Sequence, residues 1–354
     1  MLDPAHGGLH DEELAGLGLA PADVLDFSVN VNPYGPCDAV VHAIRTASLA
    51  RYPDPTGRAA RVAMAAALGR HADEIALGHG AVELLWSLAR LLVPPGQTCA
   101  VVGPTFSELG AAVRAGGGRV VEWRASARDD FAVHTHAIDE LLEQEKPRAL
   151  YLCNPNNPTG RALAAAEVAA LAARHPDVTL VLDQAFLSLS ERHTDAEGAR
   201  LPANVVCVRS LTKDHALAGL RVGYLVADAA LVTRLEAIRP PWTASAPAQA
   251  AAVATFRPDA AAFVASSRRR MLADRDALGA ALAPLSLRAL PSVAPFVLVP
   301  AARATDLRRR LLARHRILVR DGTSFGLPDH VRLAARPADD TEHLVAALAV
   351  EIRP

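Results

Sequence analysis

Short β-rich runs alternate with longer Ala- and Leu-rich segments between about residues 75 and 226. This alternation is typical of a mostly parallel sheet that is covered by helices on both faces. Several of the β-rich runs are apolar throughout, as expected of strands buried on both sides. The segments between them, such as Leu84–Leu92 and Ala164–Arg174, carry apolar residues at helical spacing. The candidate strands are Cys99–Gly103, Arg119–Trp123, Ala149–Cys153, Thr179–Asp183, Val205–Arg209 and Val222–Val226.

The pattern changes after Pro240-Pro241, where a long Ala-rich helical region extends to about Leu282. Strands and helices then alternate again, which predicts a second, α+β domain. We expect a large domain over residues 35–238, a small domain over residues 239–354, and an N-terminal segment, residues 1–34, that packs with the small domain. The predicted elements of the small domain are strands near Phe296–Val299, Ile317–Arg320 and Val331–Ala335, and helices near Ala304–Arg314 and Thr341–Ile352.

Composition excludes several classes of protein. The 37 basic and 38 acidic side chains give a formal net charge of −1, which favours neither nucleic acid nor an anionic membrane as a partner. The N-terminus lacks a secretory signal, and no apolar run approaches the ~20 residues that span a bilayer. The sequence therefore predicts a soluble, cytoplasmic protein.

The four cysteines, Cys37, Cys99, Cys153 and Cys207, are far apart, which indicates small core residues and argues against a disulfide framework or a metal site.

Two side chains stand where neighbouring strands end. Asp183 closes an apolar strand, and Lys213 follows the next strand in Ser210-Leu211-Thr212-Lys213. Ligands gather at the carboxyl ends of parallel strands, so these side chains could share one site. The chain contains only two lysines, Lys146 and Lys213, among its 37 basic residues. Since arginine serves where only charge is needed, Lys213 is a candidate for imine chemistry, which requires an amine that can lose its proton.

Three further segments suit a phosphorylated aldehyde cofactor, pyridoxal 5′-phosphate. Gly78-His79-Gly80-Ala81-Val82 follows an apolar run and opens a helix, whose free N–H groups could bind a phosphate. Cys153 to Gly160 form a proline-punctuated turn whose asparagine amides could bond a ring oxygen. Arg221 lies eight residues after Lys213 and could supply a guanidinium to the same phosphate.

Together these segments resemble the fold-type-I pyridoxal-phosphate enzymes of the aspartate aminotransferase superfamily, in the right order over nearly the whole chain. The resemblance implies an α/β, aspartate-aminotransferase-like fold with a mostly parallel seven-stranded sheet in the large domain and a smaller α+β domain. It also implies that Lys213 forms the imine link with the cofactor, that Asp183 pairs with the ring nitrogen, that Asn157 bonds the ring hydroxyl and that Phe106 stacks on the ring. No metal is expected.

The same resemblance implies a set of ligands for the cofactor phosphate. Tyr52, in Arg51-Tyr52-Pro53-Asp54, is similar to a tyrosine that reaches the phosphate from a neighbouring subunit. A homodimer is therefore expected. The phosphate ligands implied within one chain are Gly80, Ala81, Val82, Ser210, Thr212 and Arg221.

Within the superfamily the chain looks closest to the threonine-phosphate decarboxylases of cobalamin biosynthesis and the histidinol-phosphate aminotransferases. His6-Gly7-Gly8, the segment Leu25 to Pro33 and the strand Arg332 to Arg336 resemble the decarboxylases. Phe186, three residues after Asp183, also does so, because the aminotransferases typically carry a tyrosine there. Arg336 is the candidate for orienting the α-carboxylate that only the decarboxylase substrate carries; its alternative role is an ion pair with a surface acid. The expected substrate ligands are His6, Gly8, Asn32, Asn157, Arg320, Arg332 and Arg336.

The expected activity is the decarboxylation of L-threonine O-3-phosphate to (R)-1-aminopropan-2-ol phosphate. The alternatives are an aminotransferase of the histidinol-phosphate type, a specialised pyridoxal-phosphate enzyme acting on another amino acid, and a regulatory binding module that has lost catalysis. A dehydrogenase is a weaker rival, because no strand precedes a dinucleotide-binding glycine pattern. Departures from the family patterns at His79, Gln184, Asp214-His215 and Pro295 keep the substrate open, and a backbone-bonded loop residue is the favoured interpretation of His215.

Overall fold

The structure is a computed structural model that describes residues 6–196 and 202–352. The helices, numbered in chain order, are α1 (Asp11–Leu17), α2 (Asp38–Arg45), α3 (Arg58–Leu68), α4 (Gly80–Leu92), α5 (Glu108–Ala115), α6 (Thr135–Glu145), α7 (Ala165–Arg174), α8 (Leu211–Asp214), α9 (Ala229–Glu236), α10 (Ala246–Thr255), α11 (Pro258–Leu282), α12 (Ala304–His315) and α13 (Ala338–Glu351). The strands are β1 (Leu25–Asp26), β2 (Ile75–Gly78), β3 (Thr98–Gly103), β4 (Arg119–Arg124), β5 (Ala149–Cys153), β6 (Thr179–Asp183), β7 (Val205–Ser210), β8 (Gly223–Val226), β9 (Phe296–Pro300), β10 (Ile317–Leu318), β11 (Arg320–Gly322) and β12 (Leu327–Ala334).

Seven strands form the large sheet, in the order β2-β8-β7-β6-β5-β3-β4. Only β8 is antiparallel to its neighbours, β2 and β7; the other four pairs are parallel. This sheet matches the mostly parallel, seven-stranded sheet expected from the sequence. The sheet brings the carboxyl ends of β5, β6 and β7 together at one edge, because these strands are parallel neighbours.

Helices cover both faces of the large sheet. Along β5, Tyr151 packs into a core with α4 and α5, whereas Leu150 and Leu152 pack into a second core with α6 and α7. This alternation follows from the pleat of the strand, which sends successive side chains to opposite faces. Because both faces are covered, β5 is buried along its whole length, as the apolar sequence predicts.

The second sheet contains β11, β12 and β9, all antiparallel. The predicted single strand at Ile317–Arg320 is divided in the structure, because Ile317–Leu318 pairs with β1 while β11 pairs with β12. That division places Arg320 directly opposite Arg332. None of the helices within the described ranges combines the length and the apolar character that a membrane span requires.

The N-terminal segment contributes directly to the core beneath the second sheet. The Phe27 side chain is fully buried there among residues from α11, α12, β9 and α13. Its backbone N–H donates to the Leu318 carbonyl, 2.8 Å away, and its own carbonyl accepts from the Ala334 N–H at 3.0 Å. The segment after β1 is therefore fixed by packing and by hydrogen bonds before it reaches the edge of the large sheet.

Phe27→Ala is expected to lower the free energy of unfolding by about 3–5 kcal/mol, because it removes a fully buried aromatic ring and leaves a cavity. Urea unfolding followed by circular dichroism measures the effect. Leu17→Ala is the matched control, since Leu17 is 43% exposed and its truncation should cost no more than about 0.5 kcal/mol. Equal costs for the two substitutions would contradict the packing of the N-terminal segment described above.

Candidate active site

A cavity of about 480 Å³ lies at the carboxyl ends of β5, β6 and β7, between the large sheet, the second sheet and the N-terminal segment. Its lining includes most of the residues that the sequence predicts as cofactor and substrate ligands. The predicted residues that line it are His6, Ala81, Val82, Phe106, Asn157, Asp183, Ser210, Thr212, Lys213, Arg221, Arg320 and Arg332.

Asp183 presents a buried carboxyl group at the end of β6, with only 3% of the residue exposed. One oxygen accepts a hydrogen bond from the Tyr151 hydroxyl at 2.8 Å, and the other accepts from the Ala185 N–H at 3.0 Å. Burial raises the pKa of Asp183 above its usual value, while the Tyr151 and Ala185 hydrogen bonds and the charge of Lys213 oppose that rise. The carboxylate is thus oriented by two donors and faces the cavity.

Lys213 lies on α8, immediately after β7. Its pKa is lowered from 10.5 to about 8, first by burial and then by the positive charges of Arg332 and Arg221. Asp183 acts in the opposite direction. A lysine in this state has a substantial neutral fraction near neutral pH, which is the form that attacks an aldehyde. The backbone around Lys213 is fixed by Asn32, whose N–H donates to the Lys213 carbonyl at 2.9 Å.

The start of α4, the loop at Ser210–Thr212 and Arg221 form a cradle for an anion. Ala81 and Val82 line the cavity in the first turn of α4, and the N-cap residue His79 makes no side-chain cap hydrogen bond. The hydroxyls of Ser210 and Thr212 lie 2.6 Å apart. Gly80 has a positive φ of 78°, and a Cβ atom at this position would lie only 2.7 Å from Arg221, so the cradle depends on a glycine. Free N–H groups, hydroxyls and a guanidinium are the donors that a phosphate requires.

Two buried arginines from the second sheet also line the cavity. Arg332 is 5% exposed, and its terminal nitrogens donate to the Asn157 Oδ1, at 2.5 Å, and to the Ser28 carbonyl. Burial, followed by the charge of Arg320, lowers the pKa of Arg332 to about 9. Arg320 is 3% exposed, donates to the Ser324 hydroxyl and lies 5.2 Å from the Phe325 ring centroid. Two adjacent buried cations favour an anionic ligand.

Glu108 closes the cavity on the side of the N-terminal segment. Its carboxylate accepts from the Trp86 indole at 2.7 Å and lies 2.8 Å from the His6 Nε2. The His6 ring also lies 5.7 Å from the Phe106 ring, at a tilt of 44°. The contacts with Glu108 and Phe106 hold His6 at the cavity. Glu108 also adds one acidic group to a lining rich in cations.

The other predicted residues do not line this cavity. The Gly8 N–H donates to the Ser28 hydroxyl, Asn32 Nδ2 donates to the Asp214 carbonyl, and Arg336 pairs with Asp340 at 3.0 Å. Gly80 belongs to the anion cradle, where a Cβ atom at this position would lie 2.7 Å from Arg221. Tyr52 is 84% exposed and stacks on Trp242, away from the cavity of its own chain. Contact with substrate by Gly8, Asn32 and Arg336, and with the cofactor by Tyr52, stays a prediction.

Sequence analysis missed several residues that build the cavity. Tyr151 was assigned to a core strand, yet its hydroxyl orients Asp183; the signal was a phenol in an otherwise apolar strand, since a buried hydroxyl needs a partner. Glu108 opens α5 two residues after Phe106, where an acidic residue is ordinary and gives no warning of a site. Ser28, Asn30 and Phe325 also line the cavity. The first two lie in the motif from Leu25 to Pro33, from which only Asn32 was predicted as a ligand.

The fold and this site together define a fold-type-I pyridoxal-phosphate enzyme. The chain belongs to the class I and II aminotransferase family, whose model matches residues 22–348. It is 35% identical over 342 residues to histidinol-phosphate aminotransferase 2 of Ralstonia nicotianae, covering 94% of this chain and 89% of that protein. It is 32% identical to the histidinol-phosphate aminotransferase of Moorella thermoacetica, covering 93% of this chain and 86% of the relative.

Solved structures agree with this assignment. Histidinol-phosphate aminotransferase from Sinorhizobium meliloti, in complex with pyridoxal 5′-phosphate, superposes with a TM-score of 0.87 at 27% identity, over 98% of this chain and 95% of that one. L-threonine-O-3-phosphate decarboxylase from Porphyromonas gingivalis gives a TM-score of 0.77 at 26% identity, over 92% and 99%. These comparisons confirm the predicted resemblance and the predicted cofactor, pyridoxal 5′-phosphate.

The predicted decarboxylase activity is wrong. Relatives that are 32–35% identical over most of the chain are histidinol-phosphate aminotransferases, whereas the decarboxylase appears as a structural neighbour. The assignment to a lyase of cobalamin biosynthesis fails with it. The prediction needed Arg336 to orient a carboxylate, and this guanidinium instead pairs with Asp340 outside the cavity. The motifs at His6–Gly8 and Phe186 were therefore poor indicators of the reaction.

The residues of the cavity fit pyridoxal 5′-phosphate. The cradle at Gly80 and Arg221 leaves room that a Cβ would fill, and its donors match a phosphate. The buried carboxyl of Asp183 and the amine of Lys213, with its lowered pKa, face the same cavity. These groups match the ring nitrogen and the aldehyde of the cofactor.

Borohydride reduction of the protein loaded with pyridoxal phosphate is expected to fix one pyridoxyl group on Lys213, as detected by peptide mass spectrometry. Lys213→Arg should abolish this label, whereas Lys146→Arg, which changes the other, exposed lysine, should retain it. Because the neutral amine reacts and the pKa of Lys213 is about 8, the labelling rate of the apoprotein should rise from pH 7 to 9 and then level off. A label on Lys146 alone, or a rate independent of pH, would refute the assignment.

Proposed function

We propose that the protein is an aminotransferase that exchanges an amino group between histidinol phosphate and a 2-oxo acid. The observation that carries the proposal is the pair of buried arginines, Arg320 and Arg332, which face each other in the second sheet and line the cavity together with the anion cradle. The cradle suits the cofactor phosphate, so a second cationic wall suits a second anionic group, carried by the substrate. The names of the 32–35% identical relatives support histidinol phosphate as that substrate.

The cofactor supplies an aldehyde that links to amines and an electron-poor ring that stabilises negative charge at the substrate α carbon. In the proposed mechanism Asp183 would bind the ring nitrogen and keep it protonated, with Tyr151 and the Ala185 N–H holding the carboxylate in place. Asn157 uses its oxygen for Arg332, which leaves its amide nitrogen free to bind the ring oxygen. Phe106 would contact the ring, and the cradle would hold the phosphate.

Lys213 is the proposed acid and base. With a pKa of about 8, its amine can both take a proton from the substrate α carbon and return one at near-neutral pH. The positive charges of Arg332 and Arg221 lower the pKa of this amine, so that it releases its proton more easily. Arg320 and Arg332 bind the anionic end of the substrate and orient the α carbon toward Lys213.

The purified protein, given histidinol phosphate and 2-oxoglutarate, should form glutamate at a rate that saturates with both substrates. Threonine phosphate should release no CO₂ under the same conditions, because the expected carboxylate-orienting Arg336 is engaged by Asp340. Glutamate formation is followed with a coupled dehydrogenase assay and CO₂ by trapping of labelled carbon. Turnover of other amino acids without any amino transfer from histidinol phosphate would refute the proposed substrate.

We further propose a homodimer in which Tyr52 reaches the cofactor phosphate of the partner subunit. Tyr52 and Trp242 stack at a centroid distance of 5.1 Å and are 84% and 46% exposed. Adjacent exposed aromatic rings of this size mark an interaction surface. Since Tyr52 lies outside the cavity of its own chain, a role at a cofactor requires a second subunit.

Mixed dimers test this arrangement. Tyr52→Ala and Lys213→Ala homodimers should each lose most activity, whereas a mixed dimer should regain close to half of the wild-type turnover. The reason is that one of its two sites combines an intact Lys213 with Tyr52 of the other subunit. Sedimentation shows that mixed dimers have formed, and the Tyr52→Phe homodimer is a control for packing. No recovery in mixed dimers would show that Tyr52 acts within its own subunit, and a fully active Tyr52→Ala homodimer would show that Tyr52 does not act at the site.

A further inference from the structure

Arg124 connects the edge of the large sheet to the second sheet. It is the last residue of β4, the edge strand, and its guanidinium donates to the carbonyls of Phe325 and Gly326, the second at 3.2 Å. The other terminal nitrogen donates to the Glu122 carboxylate at 3.0 Å. Arg124 does not line the active-site cavity, so any role of this residue in substrate binding is indirect.

The turn between β11 and β12 is shaped to receive this guanidinium. Gly326 has a positive φ of 69°, and a Cβ atom there would lie 2.7 Å from a terminal nitrogen of Arg124. The Gly326 N–H donates to the Thr323 carbonyl at 2.8 Å, which closes a short helical turn over Thr323–Phe325. The carbonyls at the end of such a turn have no partner within it, and a guanidinium can bind two acceptors at once. The arginine and the glycine therefore fit each other.

The same β11–β12 turn contacts Arg320, one of the two arginines proposed to bind the substrate. Arg320 donates to the Ser324 hydroxyl, and its guanidinium carbon lies 5.2 Å from the centroid of the Phe325 ring. Phe325 itself lines the active-site cavity. A displacement of the turn would therefore move the hydroxyl and the ring against which Arg320 is held.

The β11–β12 turn borders a volume into which it could move. A second cavity, of about 250 Å³, is lined by Ser324, Phe325 and Arg124, among others. Phe106 and Phe325 line both this cavity and the active-site cavity. Close packing on all sides would fix an aromatic ring, but the Phe325 ring has an open volume next to it. The hydrogen bonds from Arg124 supply the restraint that packing does not.

We propose that Arg124 is a positioning residue for substrate binding. Its bonds to the Phe325 and Gly326 carbonyls fix the β11–β12 turn against the large sheet. The fixed turn then holds Arg320 in the orientation that meets the anionic group of the substrate. The inference rests on the proposed function and adds to it a residue that does not touch the substrate. Because Arg124 lies outside the cavity that contains the proton-transfer groups, its loss should change substrate affinity more than the maximal rate.

Arg124→Ala should raise the KM for histidinol phosphate by about tenfold, because a small displacement of a binding group weakens its contact, and should change kcat less than about threefold. Arg124→Lys, which can bond one of the two carbonyls, should give an intermediate KM. Arg128→Ala is the matched control, since it removes an exposed arginine from the loop after β4 and should leave both constants unchanged. Steady-state kinetics, Tm and the affinity for pyridoxal phosphate are measured for every variant.

A double-mutant cycle tests whether Arg124 acts through the turn. Ser324→Ala removes the hydroxyl that accepts from Arg320 and should also raise the KM. The double variant should raise the KM by clearly less than the product of the two single effects, because the second substitution removes a contact that the first has already loosened. A double effect equal to that product overturns the proposal.

Two further results would count against the inference. A KM within twofold of the wild type for Arg124→Ala would show that the turn holds Arg320 without this residue, which overturns the proposal. A parallel fall of Tm, kcat and cofactor affinity in both Arg124→Ala and Arg124→Lys would assign Arg124 to folding and overturn it as well.

Failure of the proposed function can be separated from failure of this inference. If the wild-type holoenzyme transfers no amino group from histidinol phosphate, the proposed function fails. The same variants are then titrated with inorganic phosphate, and binding is followed by the absorbance of the bound cofactor. Binding to Arg124→Ala that is about fivefold or more weaker than binding to Arg128→Ala supports Arg124 as a positioning residue for an anion site. Equal binding to both proteins overturns that assignment.

Discussion

The burial of the Asp183 carboxyl group is the constraint on which the rest of the site depends. A carboxylate is expensive to remove from water unless donors compensate it, and here the Tyr151 hydroxyl and the Ala185 N–H do so. Tyr151 lies on β5, and Ala185 lies in the turn that follows β6. The Asp183 carboxylate is therefore stabilised where these two parallel strands end side by side. Lys213 is placed one strand away by the same sheet, and its pKa is lowered by the same burial.

The N-terminal segment joins the two halves of the site. Phe27 is hydrogen-bonded to β10 and to β12, and Asn32 holds the backbone that carries Lys213. Ser28, between them, accepts from Arg332. One short stretch of chain thus positions Lys213 and Arg332, which both line the cavity. The predicted division into residues 1–34, 35–238 and 239–354 places this stretch in the N-terminal segment, outside both predicted domains. These boundaries stay a prediction.

The central strands of the large sheet were predictable because strands buried on both faces have an apolar pattern, and Asp183 and Lys213 stood out as polar exceptions at strand ends. The strand Ile75–Gly78 was not among the candidate strands. The second sheet was predicted less well: one apolar run became two strands with different partners, which depends on long-range pairing that no local pattern encodes. The reaction was mispredicted because the motifs at His6–Gly8 and Phe186 resemble the decarboxylases, whereas the relatives that are 32–35% identical over most of the chain are histidinol-phosphate aminotransferases.

Arg332 contacts Asn157, the residue expected to bond the cofactor ring, as well as the N-terminal segment. Because one guanidinium makes both contacts, a change at Arg332 affects substrate preference and the hydrogen bonding of Asn157 together. A substitution chosen to admit a different substrate at Arg332 also frees the Asn157 oxygen and alters the electronic environment of the ring. Redesign of substrate preference in this chain is therefore more promising at neighbouring positions, such as Ser324 and Phe325 around the other arginine, than at Arg332 itself.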